Sequence, residues 1–479
     1  MIQDFSPWGV YYLEITCGEN ARAALDYTLH YRSPRMMGID ADYSMSQDYR
    51  AQSWPTFVVV DAEGVIRFHG FDSDQNLAGV RRCLKNILRA TEKDPKQVLA
   101  SGVAYPAEVL ACRKARRDRS PRLAFDRSGN ANVVYYSNVG GTNAVYVRRF
   151  DPQGALKSED RLSPAGLESY APDCVFDDAG TLWVTWSARP DRFFDIFVQS
   201  HNKGEPPRTE RLSSSDDDAM SPRIAAGAGG ALTVTYYKWA KLNGISRDRN
   251  VFARSYDPAR RSWGSEVEIS PLEPKVEDHT DPDVVMDAQG GAWIVWSYDY
   301  HPQLFRKPVS ASQPTIFAAR FSSNTAAPAV LVGATGRLRD AIDLFPSVAL
   351  DSAGVLWCAW DCSEPHRNIQ LARRSPGDEA FNAVASFGKA ICSTPKLSAT
   401  RDGRLLLAWS EHAAVGGWQG KVALLKDGQP LETVTLTEKA DVLFPQAQQS
   451  PDGQYWVVYE TSSETGAQVT VRKLEKFGR

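Results

Sequence analysis

One frame recurs seven times between Pro121 and Tyr459. A proline is followed eight residues later by glycine, and six residues after that by Trp or Tyr. The copies are Pro121/Gly129/Tyr135, Pro172/Gly180/Trp186, Pro222/Gly230/Tyr236, Pro282/Gly290/Trp296, Pro346/Gly354/Trp360, Pro395/Gly403/Trp409 and Pro445/Gly453/Tyr459. A repeat this long with no slip in its internal spacing restricts the chain to a propeller or a solenoid.

The content of one unit selects the propeller. Residues 348–350 and 356–360 are short apolar runs, each long enough for one strand. Between them, Asp351-Ser352-Ala353-Gly354 reads as a tight turn whose glycine supplies positive φ. The Asp slot holds Asp126, Asp177, Asp287 and Asp351, with Thr400 and Ser450 as hydroxyl substitutes and Gly227 as the exception. A third strand is expected at 144–147, 195–198, 251–253, 316–318 and 369–371, and a fourth at 210–213 and 432–435. Four antiparallel strands per 49 to 64 residues predict one blade. Each proline is expected at the first residue of an inner strand, where a missing N–H does no harm. The last unit ends after three strands, so residues 107–112, ahead of Pro121, are expected to supply its outer strand and close the ring. A turn placed between first and second strands resembles that of TolB-like and WD-repeat-like propellers.

The 479 residues suffice for two domains. A net charge of −3 points to no nucleic-acid or anionic-membrane partner. No apolar run reaches the roughly 20 residues of a membrane-spanning helix. Residues 1–17 lack a basic start and a small-residue cleavage site, so the chain reads as soluble and cytoplasmic. A true start further upstream would instead allow a periplasmic or extracellular location. Seven scattered cysteines argue against a disulfide framework.

Residues 8–90 follow a different grammar of alternating strands and helices. Strands are expected at 9–16, 35–40, 57–61 and 65–69, with helices at 19–31 and 76–90. Ile39-Asp40, Tyr49 and Trp54-Pro55-Thr56, followed by the hairpin around 61–64, give this stretch a resemblance to thioredoxin-like proteins of the TlpA type. The resemblance implies a cis-proline loop at Trp54, Pro55 and Thr56, and places Cys17 where that family carries its redox motif. Asn20 stands where the second cysteine belongs and an apolar or aromatic residue near Tyr11 replaces the usual buried acid, so the domain is degenerate at its active site. The expected order is an α/β thioredoxin-like domain over 1–92, a linker over 93–106 and an all-β seven-bladed propeller over 107–479.

Candidate sites follow from this layout. Cys17, at a helix start, is the one candidate catalytic residue, since a helix dipole favours thiolate. Cys358, Cys362 and Cys392 share one stretch but match no zinc spacing and read as buried thiols. The extra length of two units falls at 238–250 and 297–315, which read as long loops on one rim. Lys238, Trp239, His279, Tyr298, Tyr300, His301 and Arg306 gather there as candidate ligand-binding residues, with Asp278, Asp281 and Asp299 among them. A basic group including Arg113, Arg116, Arg117 and Arg119 is expected on the same rim. Arg122 and Arg223, in Ser-Pro-Arg-Leu and Ser-Pro-Arg-Ile, are faintly similar to a sialidase arginine motif. The leading expectation is a non-catalytic scaffold that binds a protein or peptide on the long-loop face, without metal or cofactor. Its alternatives are monothiol redox chemistry through Cys17 and a carbohydrate-active propeller with a glycan partner.

Overall fold

The computed structural model describes residues 118–474, apart from 140–141, 214–217, 243–244, 271–276, 301–314, 334–342, 363–367, 390–391, 414–416, 437–440 and 464–465, together with four strands ahead of them. The chain divides into two compact units, Met1–Arg113 and Lys114–Arg479. In the first, Leu13–Cys17 pairs in parallel with Met36–Asp40, which sets Cys17 opposite Asp40. Thr56–Val60 pairs antiparallel with Ile66–Phe71. The helices that the thioredoxin-like reading requires, the Trp54-Pro55 peptide, the Cys17 side chain and the strand expected at 107–112 lie outside the described residues.

The second unit is a seven-bladed β-propeller, each blade an antiparallel sheet in sequence order. The first blade comprises Asp118–Phe125, Ala131–Ser137, Ala144–Phe150 and Leu156–Arg161. The second comprises Glu168–Phe176, Leu182–Arg189, Asp195–His201 and Arg208–Arg211. The third and fourth, beginning at Ala219–Ala226 and Glu277–Met286, have outer strands broken into two-residue pieces. The fifth and sixth, beginning at Asp343–Leu350 and Cys392–Ala399, are regular four-stranded sheets. Three described strands, Asp441–Gln449, Tyr455–Ser463 and Gly466–Leu474, form the seventh.

The repeat frame is the skeleton of this fold. Its aromatic member is buried in every blade: Tyr135, Trp186, Tyr236, Trp296, Trp360, Trp409 and Tyr459 are at most 3% exposed. Burying one such side chain contributes on the order of 2–3 kcal/mol. The cores lie between blades. Leu406 and Val422 of the sixth pack with Val457 and Tyr459 of the seventh. Leu123, Val133 and Tyr135 of the first pack with Trp456, Val458 and Val469 of the seventh, so the circle closes through side chains.

The glycine of the frame holds φ between 70 and 90° in all seven turns. The Asp slot works as a cap. Asp177 Oδ1 accepts the N–H groups of Ala179 and Thr181, both at 2.9 Å, and Oδ2 accepts Trp183 Nε1–H at 2.8 Å. Asp351 repeats this with Ala353, Val355 and Trp357. Thr400 and Ser450 substitute by a different route: each hydroxyl donates to the carbonyl four residues on, that of Arg404 and of Gln454.

The proline corrects the expected register. Each inner strand begins before it, and the proline sits at a bulge where pairing skips two residues, as between Arg119 and Arg122 or Thr280 and Asp283. A residue without N–H fits where the ladder is broken, which is why a mid-strand proline is tolerated. The residue ahead of it is left-handed in every blade: Ser120, Ala171, Ser221, Asp281, Phe345, Thr394 and Phe444 have φ of 49 to 54°. That conformation costs an L-residue about 1–2 kcal/mol, and the fold accepts the cost seven times.

Candidate ligand site on the propeller axis

The bulge turns the residue after each proline onto the propeller axis. In blade order these residues are Arg122, Asp173, Arg223, Asp283, Ser347, Lys396 and Gln446. Four of them do the same job. Asp173 Oδ2 accepts the Ile224 N–H of the next blade at 3.0 Å, and Asp283 Oδ2 accepts that of Val348 at 3.3 Å. Ser347 Oγ accepts the Leu397 N–H at 3.1 Å. Gln446 Oε1 accepts the Leu123 N–H at 3.0 Å, joining the seventh blade to the first. These are latches between neighbours, each satisfying a backbone donor that the bulge frees from the ladder.

The other three positions are cations, which accept nothing. Arg122 donates to its own Pro121 carbonyl at 3.3 Å and stands 3.5 Å from Asp173 Oδ1. Arg223 likewise donates to its own Pro222 carbonyl at 2.8 Å, and its buried Nε has no hydrogen-bond partner. Lys396 reaches from the sixth blade to the fourth, where its Nζ lies 3.2 Å from Asp283 Oδ2. Ser347 Oγ donates to the same oxygen at 2.8 Å. The axis thus carries three cations against two carboxylates.

One layer nearer the strand starts, Asp281 is the single acid among the seven pre-proline residues. Its Oδ2 accepts the Thr280 hydroxyl at 3.2 Å. Arg249 and Tyr237 border it: the guanidinium stands 5.1 Å from the Trp239 ring centre, and Tyr237 bonds to Ser221 and Arg249. Phe345 and Phe444 share this layer, and Phe444 is 38% exposed.

Burial splits the titration of these groups. It pushes the Asp281 carboxyl up, against the pull of Arg249, Arg223 and Lys396. For Asp283 burial acts the same way but is outweighed by Lys396, Arg223 and the Ser347 bond, so this carboxyl is held below its ordinary range. Lys396 falls from 10.5 to about 8, mainly through burial and with Arg122 and Arg223 reinforcing it against Asp283. Arg122 falls to about 10, through burial and then Arg223, and stays a cation. Two carboxyls only two residues apart are thus shifted in opposite directions.

The Lys396 shift has a consequence for stability. Its folded value lies below its unfolded one, so below pH 8 the native state carries a buried ammonium at a cost of about 3 kcal/mol. That cost is relieved as pH rises from about 8 to 10.5. The wild type should therefore gain up to about 3 kcal/mol of stability between pH 8 and 10.5, and Lys396→Met, which has no amine to titrate, should lack that rise, as read from urea unfolding midpoints across the range.

The rim residues divide. His279 is 2% exposed, with its Nδ1 accepting Trp296 Nε1–H at 2.8 Å, and Tyr298 is buried against it. Both belong to blade packing, not to a rim. The stretch at 238–250 is no loop: the strands Leu232–Leu242 and Ile245–Asp257 extend the third blade as a long hairpin. Lys238 there pairs with Glu266, and Trp239 stacks near Arg249. His301, Arg306 and the Tyr300 side chain lie outside the described residues. Arg119 is buried in an ion pair with Glu460 rather than exposed in a basic rim cluster. Cys358, Cys362 and Cys392 are buried, and no group of His, Cys, Asp or Glu among the described residues is arranged to hold a metal. The axial ring was readable in outline: a column of charged and polar letters after each proline of an otherwise apolar frame.

No protein-family model and no curated protein matches this chain. Solved structures with a similar fold include an ulvan lyase, a polysaccharide lyase, at 14% identity and a TM-score of 0.48, covering 66% of this chain and 80% of the other. They also include an α-L-arabinanase of Penicillium chrysogenum, at 14% and 0.47, over 66% and 95%. A Hadza microbial sialidase follows at 12% and 0.42, over 72% and 73%. Likenesses this distant carry nothing about the chemistry of this chain.

Proposed function

We propose that the propeller is a receptor for an acidic carbohydrate whose carboxylate seats on the axis against Arg122, Arg223 and Lys396. The observation that carries this reading is the interrupted latch. At one repeated position four residues serve the fold by accepting a neighbour's N–H, while three cations serve no such bond. Of the three, Arg223 has a buried Nε with no partner among the described residues, and such a group costs stability unless a ligand satisfies it. Arg forks suit carboxylate oxygens. Asp173, Ser347, Gln446 and Tyr237 mix donors and acceptors suited to hydroxyls, and Phe345 and Phe444 offer apolar faces to a sugar ring.

Calorimetric titration with polygalacturonate and with its carboxyl-reduced, neutral counterpart tests the reading. The acidic form should bind at least tenfold more tightly, with an affinity that weakens as salt rises. Equal binding of the neutral form contradicts the proposal. So does failure of every acidic glycan alongside capture of peptides by the hairpin bearing Lys238 and Trp239, which would restore the peptide-scaffold expectation.

A further inference from the structure

In every blade the second residue after the proline pairs across its hairpin with the second residue before the frame aromatic. Leu123 thus faces Val133, Cys174 faces Val184, Val284 faces Ile294 and Ala447 faces Val457. The register is the same in the third, fifth and sixth blades. The N–H groups at this position therefore share one direction, away from the hairpin and toward the axis. In four blades that N–H donates, at 3.0 to 3.3 Å, to the side chain that follows the previous blade's proline. In the other three blades it belongs to Cys174, Val284 and Ala447, and the side chains in the latch position are Arg122, Arg223 and Lys396. A cation has no acceptor to offer, and among the described residues none of these three N–H groups meets one. All three residues are buried. Arg122 Nε stands 3.5 Å from Asp173, the residue directly before Cys174.

Resting on the acidic-carbohydrate reading, we propose that oxygens of the bound glycan act as the missing latches, accepting the N–H groups of Cys174, Val284 and Ala447 beside Arg122, Arg223 and Lys396. Each break in the latch ring then pairs a cationic side chain with a backbone N–H, two donors that suit carboxylate and hydroxyl oxygens. The breaks fall between the first and second, third and fourth, and sixth and seventh blades, so they face the axis from three sides. A sugar seated there meets donors around its ring and joins blades that the fold leaves unlatched at this layer. A buried N–H without an acceptor costs stability, and a ligand oxygen relieves that cost.

Residue-level amide hydrogen exchange of the full chain is the test, with polygalacturonate, alginate and a glucuronate-containing glycan as probes and calorimetry to register binding. Without glycan, the Cys174, Val284 and Ala447 amides should exchange faster than the four latched ones. A glycan that binds should slow those three by about tenfold or more at saturation and leave the latched four nearly unchanged. Arg223→Asn and Arg223→Leu remove the same charge, but only Asn offers Val284 the short acceptor that Asp173 offers Ile224. The Asn variant should protect the Val284 amide without glycan and bind the glycan about fivefold or more weakly than the Leu variant. Binding that leaves the three amides unslowed, or equal affinities in the two variants, overturns the latch role while leaving the receptor reading intact. Equal protection of all seven amides without glycan overturns it as well. Absence of binding by all three glycans overturns both readings.

Discussion

Glu460→Leu is expected to destabilise the propeller by about 3–5 kcal/mol, the largest effect of any single change considered. Glu460 Oε1 accepts Arg119 Nη1–H at 2.6 Å, and the side chains are 0% and 5% exposed. Glu460 Oε2 accepts the Ser120 N–H at 3.4 Å. The pair spans the seam between the seventh and first blades, whose described strands come from opposite ends of the unit's sequence. Removing the carboxylate takes the 2.6 Å acceptor from a buried guanidinium. The double variant Arg119→Leu/Glu460→Leu removes both desolvation costs and should recover most of the loss, which a double-mutant cycle measures. Burial raises the Glu460 pKa above 4.5, so the native state binds more protons than the unfolded chain in that window. Wild-type stability should therefore fall as pH rises from 4.5 through the raised value, a slope that the double variant lacks. Urea midpoints at a series of pH values report both effects; an unchanged midpoint in Glu460→Leu would mean that packing alone holds the seam.

The second large effect concerns binding. Arg223→Gln should weaken the affinity for an acidic glycan by about 10- to 150-fold, the range for a lost charge-assisted hydrogen bond of about 1.5–3 kcal/mol. Stability should hold or rise, because among the described residues Arg223 donates only to its own Pro222 carbonyl and its Nε is unpartnered. Glu460→Leu is the contrasting control: it acts at the seam between blades, so it should move the unfolding midpoint more than the affinity. An Arg223→Gln protein that loses stability but keeps affinity would identify the arginine as a structural element.

Repetition made the propeller legible. Each frame member answers a local demand: positive φ at glycine, a core-filling ring at Trp or Tyr, a donor-free residue at proline. Seven copies fixed the blade count without any long-range reasoning. The letters put the proline at a strand start because a bulge is a feature of pairing, and pairing is not visible in one strand's letters. The burial of His279 and Tyr298 is hidden for a related reason. A polar aromatic at a strand end has the same spelling whether it faces solvent or accepts a bond from Trp296. The axial ring needs the circle itself, since Lys396 meets Asp283 only when the sixth blade is carried round toward the fourth. Arg122 and Arg223 are visible as a motif within their own repeats, while their approach to each other across the ring is not. The partial resemblance of the first unit to thioredoxin-like proteins rests on Trp54-Pro55-Thr56 and the hairpin after it. Of these, the described strands show the hairpin Thr56–Val60 with Ile66–Phe71 and the parallel pair beside Cys17.

A crystal structure of the full chain with a uronate disaccharide tests the central claim most directly. The account predicts the sugar on the propeller axis, its carboxylate within hydrogen-bonding distance of Arg122 and Arg223 and its ring beside Phe345 or Phe444. Asp173, Ser347 and Gln446 should keep their latches unchanged. A disaccharide seated instead on the hairpin that carries Lys238 and Trp239, with the axial cations untouched, would contradict it.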